Sequence, residues 1–128
     1  MALTTASRVR NRVNLTKYDI PDSVIQEFID DDQAYIEEFA QKTFPESDPQ
    51  FGIARNVCTD RGAARALLYL EHLNPSVTYT IDQLRVDKTD VALARVAWAN
   101  ALWAHADEML LLLAPVKPSS LLPRASTS

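Results

Sequence analysis

Two glycines, Gly52 and Gly62, in a chain of 128 residues limit the fold more than any other feature of this sequence. Tight hairpins and left-handed corners draw on glycine, so a β-rich fold with many reversals is poorly served. A glycine-rich phosphate loop is excluded for the same reason. Hydrophobic residues make up 47% of the chain. Alanine and leucine are abundant among them, and both enter helices at little cost. The expected fold is all-α: a compact bundle of about four helices, with one extended loop or short β-hairpin and a flexible C-terminal tail. Residues 1–114 form the expected helical domain and 115–128 the tail.

Start and stop signals divide the chain. Thr4 or Thr5 caps a short helix that ends near Asn14. Asp19-Ile20-Pro21-Asp22 opens a second helix, with Pro21 or Asp22 in its first turn. Its apolar positions (Val24, Ile25, Phe28, Ile29, Ala34, Tyr35, Ile36, Phe39 and Ala40) recur at helical spacing, and Pro45 stops it. Ser47-Asp48-Pro49 starts a third helix that runs to about His72, with a core stripe of Ile53, Ala54, Val57, Cys58, Ala64, Leu67, Leu68 and Leu70. Gly62, Ala63, Ala64 and Ala66 are small enough to admit a close neighbour, and Asn74-Pro75 ends the helix.

The segment from Val77 to Val86 is β-branched and alternates early on, so it reads as extended or as a short hairpin. A lone strand has few partners for its edge groups within one monomer; solvent, a hairpin mate or a neighbouring subunit would supply them. Thr89 or Asp90 caps a last helix through about Leu113. Leu110 to Leu113 are apolar around more than one face, so one side of that block meets another chain or lies under a loop. Trp98 and Trp103 are five apart and point to different sides; either both fill the core, or one does and the other anchors an interface. Beyond Pro115 the tail is rich in proline and serine, with Leu121-Leu122 as an apolar pair able to dock on a partner.

Charge is segregated within a net of −4. Residues 1–18 carry Arg8, Arg10, Arg12 and Lys17 and no acid; residues 19–48 carry ten acids and one base, Lys42. One reading is a solvated acidic helix face beside a basic end. The other is a surface that repels anions beside one that attracts acidic partners. A sequence pI near 5.1 makes a poor general phosphate binder. The arginine strip more simply pairs with the acidic second helix, within a chain or between chains. Asp30, Asp31 and Asp32 project about 100° apart on a helix, so they do not converge on one ion and no metal is expected.

Cys58 is the single cysteine, which excludes an internal disulfide and suits a reducing cytosol. On an apolar stripe it acts as a small hydrophobe. His72 and His105 are the only histidines, and no nucleophile–base set, dinucleotide fingerprint or zinc spacing accompanies them. No catalytic residue, cofactor or enzymatic activity is expected. No apolar run reaches the roughly 18 residues of a membrane span, and no apolar leader region precedes the first helix.

The order of elements carries a resemblance. A helix with Ala6-Ser7-Arg8-Val9-Arg10 precedes Asp19-Ile20-Pro21-Asp22-Ser23-Val24-Ile25-Gln26-Glu27-Phe28-Ile29. Then come Ala34-Tyr35-Ile36-Glu37, an alanine- and leucine-rich helix, the segment Tyr79 to Lys88, a last helix and a polar tail. Over about residues 4–113 this resembles the head–tail connector (adaptor, or head-completion) proteins of tailed bacteriophages and archaeal tailed viruses.

The resemblance implies a structural virion protein of the head–tail junction, assembled in the host cytoplasm. It implies a ring of about twelve subunits beneath the portal, closed by heterologous contacts. Such a ring extends the DNA channel and docks a stopper or tail-completion protein, and DNA passes through without specific binding. Carried onto this chain, the extended arm brings Val77, Tyr79, Ile81, Leu84 and Val86 to a neighbouring subunit. The tail brings Leu121 and Leu122 to the portal, and Trp103 joins the interface. Asp30, Asp31 and Asp32 become candidate channel-facing residues that keep DNA from sticking. The second helix is unusually acidic for that family. The alternative is a cellular helical adaptor or regulatory protein, a DNA-associated one included.

Overall fold

Four helices follow one another in the computed structural model: α1 (Ala6–Arg12), α2 (Asp22–Ala40), α3 (Phe51–Leu73) and α4 (Asp82–Leu111). Residues 2–73 and 82–115 are described, with the backbone alone for 72, 73 and 82–92. The described residues contain no strand, and the fold is an all-α bundle.

The helix ends follow local chemistry. Thr5 caps α1, its hydroxyl accepting from the Arg8 amide at 3.2 Å. Arg10 and Arg12 occupy the last turn, where the helix dipole favours cations. Arg10 then reaches the start of α2: its Nε donates to the Ile20 carbonyl at 3.2 Å, and its guanidinium pairs with Asp22. Arg10 thus makes the pairing with the second helix expected of the arginine strip, whereas Arg12 turns to Asp60 of α3. Gln41, with φ 58°, closes α2 in the left-handed region, and its amide donates to the Glu37 carbonyl.

The buried line of α2 is Ile25, Ile29, Asp32, Ile36 and Ala40, at spacings of three and four. Each of its fully buried isoleucines contributes about 1.5–3 kcal/mol by leaving water. This line packs on α3, the central helix, which touches the other three. Small residues make that possible. Ala63, Ala64 and Ala66 are fully buried, and a Cβ added at Gly62 would stand 3.2 Å from Val9 Cγ2 of α1. α4 runs antiparallel to α3. Gln50 Nε2 donates to the Leu112 carbonyl at 3.1 Å at one end, and Arg95 meets Glu71 at 3.9 Å toward the other.

The residues ahead of α1 are tied across the bundle. The Leu3 amide donates to Gln33 Oε1 at 2.7 Å, Arg55 Nε donates to the Leu3 carbonyl at 3.3 Å, and the Thr4 and Thr59 hydroxyls meet at 2.7 Å. Leu3 and Thr4 are buried as a result.

Three expectations need correction. The segment read as extended is helical from Asp82 onward, so α4 starts well before Thr89 or Asp90 and takes in Leu84 and Val86. In the sequence, Leu84, Val91, Arg95, Ala99, Leu102 and Ala106 recur at separations of seven, four, four, three and four. That helical period outweighs a brief alternation, and Asp82 suits the positive end of the dipole. Second, Leu68, expected in the core stripe of α3, is exposed. Third, Asp32, grouped with its neighbours as an outward carboxylate, is fully buried. Val77, Tyr79, Ile81, Leu121 and Leu122 lie outside the described residues.

Candidate functional site

Asp32 occupies an isoleucine position in the α2 stripe, and α3 answers it with two arginines. Arg61 Nε and Arg65 Nε each donate to Asp32 Oδ1 at 3.1 Å. Burial raises the Asp32 pKa above the ordinary carboxylate value, against the opposing pull of Arg65 and Arg61. Asp32 Oδ2 has no hydrogen-bond partner among the described residues.

Arg61 is itself nearly buried, and aromatic rings hold it. Its guanidinium carbon lies 4.4 Å from the Tyr35 ring centroid and 4.1 Å from that of Trp103. Contacts of this kind gain strength when the cation is desolvated. Arg61 also approaches Asp107 at 3.7 Å, and Arg65 lies 5.5 Å from the Trp103 ring. One buried carboxylate thereby locks α2, α3 and α4 together.

A second buried carboxylate extends the lock to α1. Asp60 Oδ1 accepts from Arg12 Nε at 3.0 Å, while Asp60 Oδ2 meets His105 Nδ1 at 2.8 Å. Asp60 thus fixes the imidazole ring on α4 and the guanidinium at the end of α1 through one side chain. Beneath these pairs, burial pushes the Cys58 thiol up to about 12, with the Asp32 charge adding to the rise. A thiol so held stays protonated near neutral pH and is a poor nucleophile and metal ligand. The network ties the four helices together and sets the geometry in which the outer surfaces are presented.

Those surfaces are of two kinds. α2 turns Glu27, Asp30, Asp31 and Glu38 outward, so two of the three consecutive aspartates remain on the acidic face and Asp32 leaves it. α4 carries apolar residues on its outer as well as its inner side. Ala99, Leu102, Ala106 and Leu110 face the core, with Leu113 just beyond the helix. Leu93 (65% exposed), Val96, Trp98 (38%) and Leu111 (68%) face out, joined by exposed Ala94, Ala97, Ala101 and Ala104. Leu112 is exposed as well. The block Leu110 to Leu113 therefore divides, two leucines inward and two outward.

Of the residues singled out from sequence, Trp103 is half-buried against the core under Arg61, and Trp98 is the more exposed tryptophan. Leu84 and Val86 lie in the first turns of α4. The signal for Asp32 was present, since it stands three residues after Ile29 and four before Ile36. Arg61 and Asp60 had no such signal, because their partners are distant in the chain. No helix among the described residues is long and apolar enough to cross a membrane.

Comparison with protein-family models, with curated proteins and with solved structures gives no match to this chain.

Proposed function

We propose that this chain is a structural subunit that works by contact with other proteins: a head–tail connector that forms a ring beneath a viral portal. The supporting observation is the outer face of α4. Leu93, Val96, Trp98, Leu111 and Leu112 keep large apolar surface in water beside exposed Ala94, Ala97, Ala101 and Ala104. Large apolar side chains gathered on the outer side of a helix, with Asn100, Asp107 and Glu108 among them, mark a protein interface with a polar rim.

The outward acids Glu27, Asp30, Asp31 and Glu38 fit a wall past which DNA slides without adhering. The element order supports the family reading. In this reading the partners are further copies of the chain, the portal, and a stopper or tail-completion protein; the site is the virion head–tail junction, and the work needs no catalysis or cofactor.

The test is to mix the purified chain with a tailed-virus portal protein and to measure the mass of the complex. A discrete ring of about twelve copies bound to the portal is expected. A dimer that ignores the portal but shifts a DNA duplex at physiological salt would favour the regulatory alternative instead.

A further inference from the structure

A groove of about 320 Å³ runs between α3 and α4, lined by Ala64, Arg65, Leu68, Ala99, Asn100 and Trp103. Ala64 and Ala99 make a buried apolar floor, and exposed Leu68 and the Trp103 indole form its walls. Arg65 and Asn100 rim it. The groove accepts a large aliphatic side chain carried on an extended backbone.

Residues 116–128 follow the described part of the chain. They hold Lys117 and Arg124 with no acid, and one pair of large apolar neighbours, Leu121-Leu122, bracketed by Pro118 and Pro123. Proline favours an extended left-handed helix rising about 3.1 Å per residue. From Pro115, Leu121 is then roughly 19 Å away. α4 rises about 1.5 Å per residue, so a chain doubling back along it brings Leu121 about 12 residues toward the helix start. That is the level of Trp103, the aromatic wall of the groove.

Proline-flanked segments dock against aromatic-walled grooves because little ordering remains to be done.

We propose that the C-terminal segment folds back along α4 and seats Leu121-Leu122 against Trp103 in the α3–α4 groove of its own chain. The segment assigned above to the portal is then held on its own subunit until a partner takes it. The docking concerns the isolated subunit and needs no portal, so it stands or falls apart from the connector reading.

Ser120→Cys in the full chain, carrying a nitroxide, tests this. Buried Cys58, with its thiol pushed up to about 12, stays unlabelled. The amides of Ala64, Leu68, Asn100 and Trp103 are expected to lose most of their NMR intensity, unchanged on dilution, while Glu27 and Asp31 keep theirs. Adding Leu121→Asp and Leu122→Asp restores the groove signals. Full intensity at the groove in the labelled chain overturns the proposal, and so does broadening that survives the aspartates. Broadening only when label and isotope sit on separate chains assigns the groove to a second copy's tail and overturns docking within one chain.

Discussion

Asp32→Ala removes the acceptor of two guanidinium groups at once, and the cost follows from where those groups sit. Arg61 is 7% exposed in its side chain and pinned between Tyr35 and Trp103, so it cannot swing out to water. Arg65 is 36% exposed and can. Stranding one buried charge costs about 3–5 kcal/mol, whereas the Arg65 share stays below about 1 kcal/mol because water replaces its partner. That loss is a large part of a stability of about 5–15 kcal/mol.

With an unfolding entropy of about 2.1 cal/mol/K per residue, a chain of 128 residues loses about 4 °C of Tm per kcal/mol, so the variant melts roughly 10–20 °C lower. Circular dichroism melts and urea titrations with an unchanged slope measure it. The decisive arm is Asp32→Leu with Arg61→Met, which removes the charge together with its counter-charge. The pair is expected to recover at least about 2 kcal/mol relative to the sum of the singles. A cost below about 1 kcal/mol for Asp32→Ala, or strict additivity in the cycle, refutes the reasoning.

Three further outcomes follow from named residues. Thiol reagents at neutral pH are expected to modify native Cys58 about a thousandfold more slowly than the urea-unfolded chain, because burial pushes its thiol up to about 12 from an ordinary 9.0; equal rates would contradict its burial. Asp48 is held below the ordinary aspartate value of 3.8 by hydrogen bonds from Lys42 Nζ and the Gln50 amide. Its contribution to stability is therefore complete well above 3.8 and lost as pH falls through the lower folded value, and Lys42→Ala raises the Asp48 titration point seen by NMR. Trp103→Ala is expected to cost about 3–5 kcal/mol of stability by stripping Arg61 and the core of a half-buried ring, and Trp98→Ala much less, as compared by melting.

Helix identity was legible where one period dominates. The stripe through Ile25, Ile29, Ile36 and Ala40 belongs to a helix, and Thr5 and Pro21 mark helix starts. The start of α4 was obscured because Thr78 to Ile81 alternates just before Asp82, and alternation draws an extended reading onto residues whose longer period is helical. Charged residues hid the rest. Asp32 stands beside two outward aspartates, and only its phase with Ile29 and Ile36 separates it from them. Its partners Arg61 and Arg65 lie about thirty residues onward, and Asp60 is forty-eight from Arg12. No local pattern encodes such pairs; they exist once three helices have packed. Leu68 reads as core in the sequence because its spacing is right, yet the face of α3 near the α4 groove is left partly open.

The face of α4 that turns from the core is the centre of this reading, and one paired measurement bears on it most directly. Leu93→Asp with Leu111→Asp in the full chain is to be melted alone and then sedimented with the portal. Both side chains are about two-thirds exposed, so Tm within a few degrees of the parent is expected, together with loss of the ring. A parent-like ring formed by the aspartate variant would contradict the role given to that face.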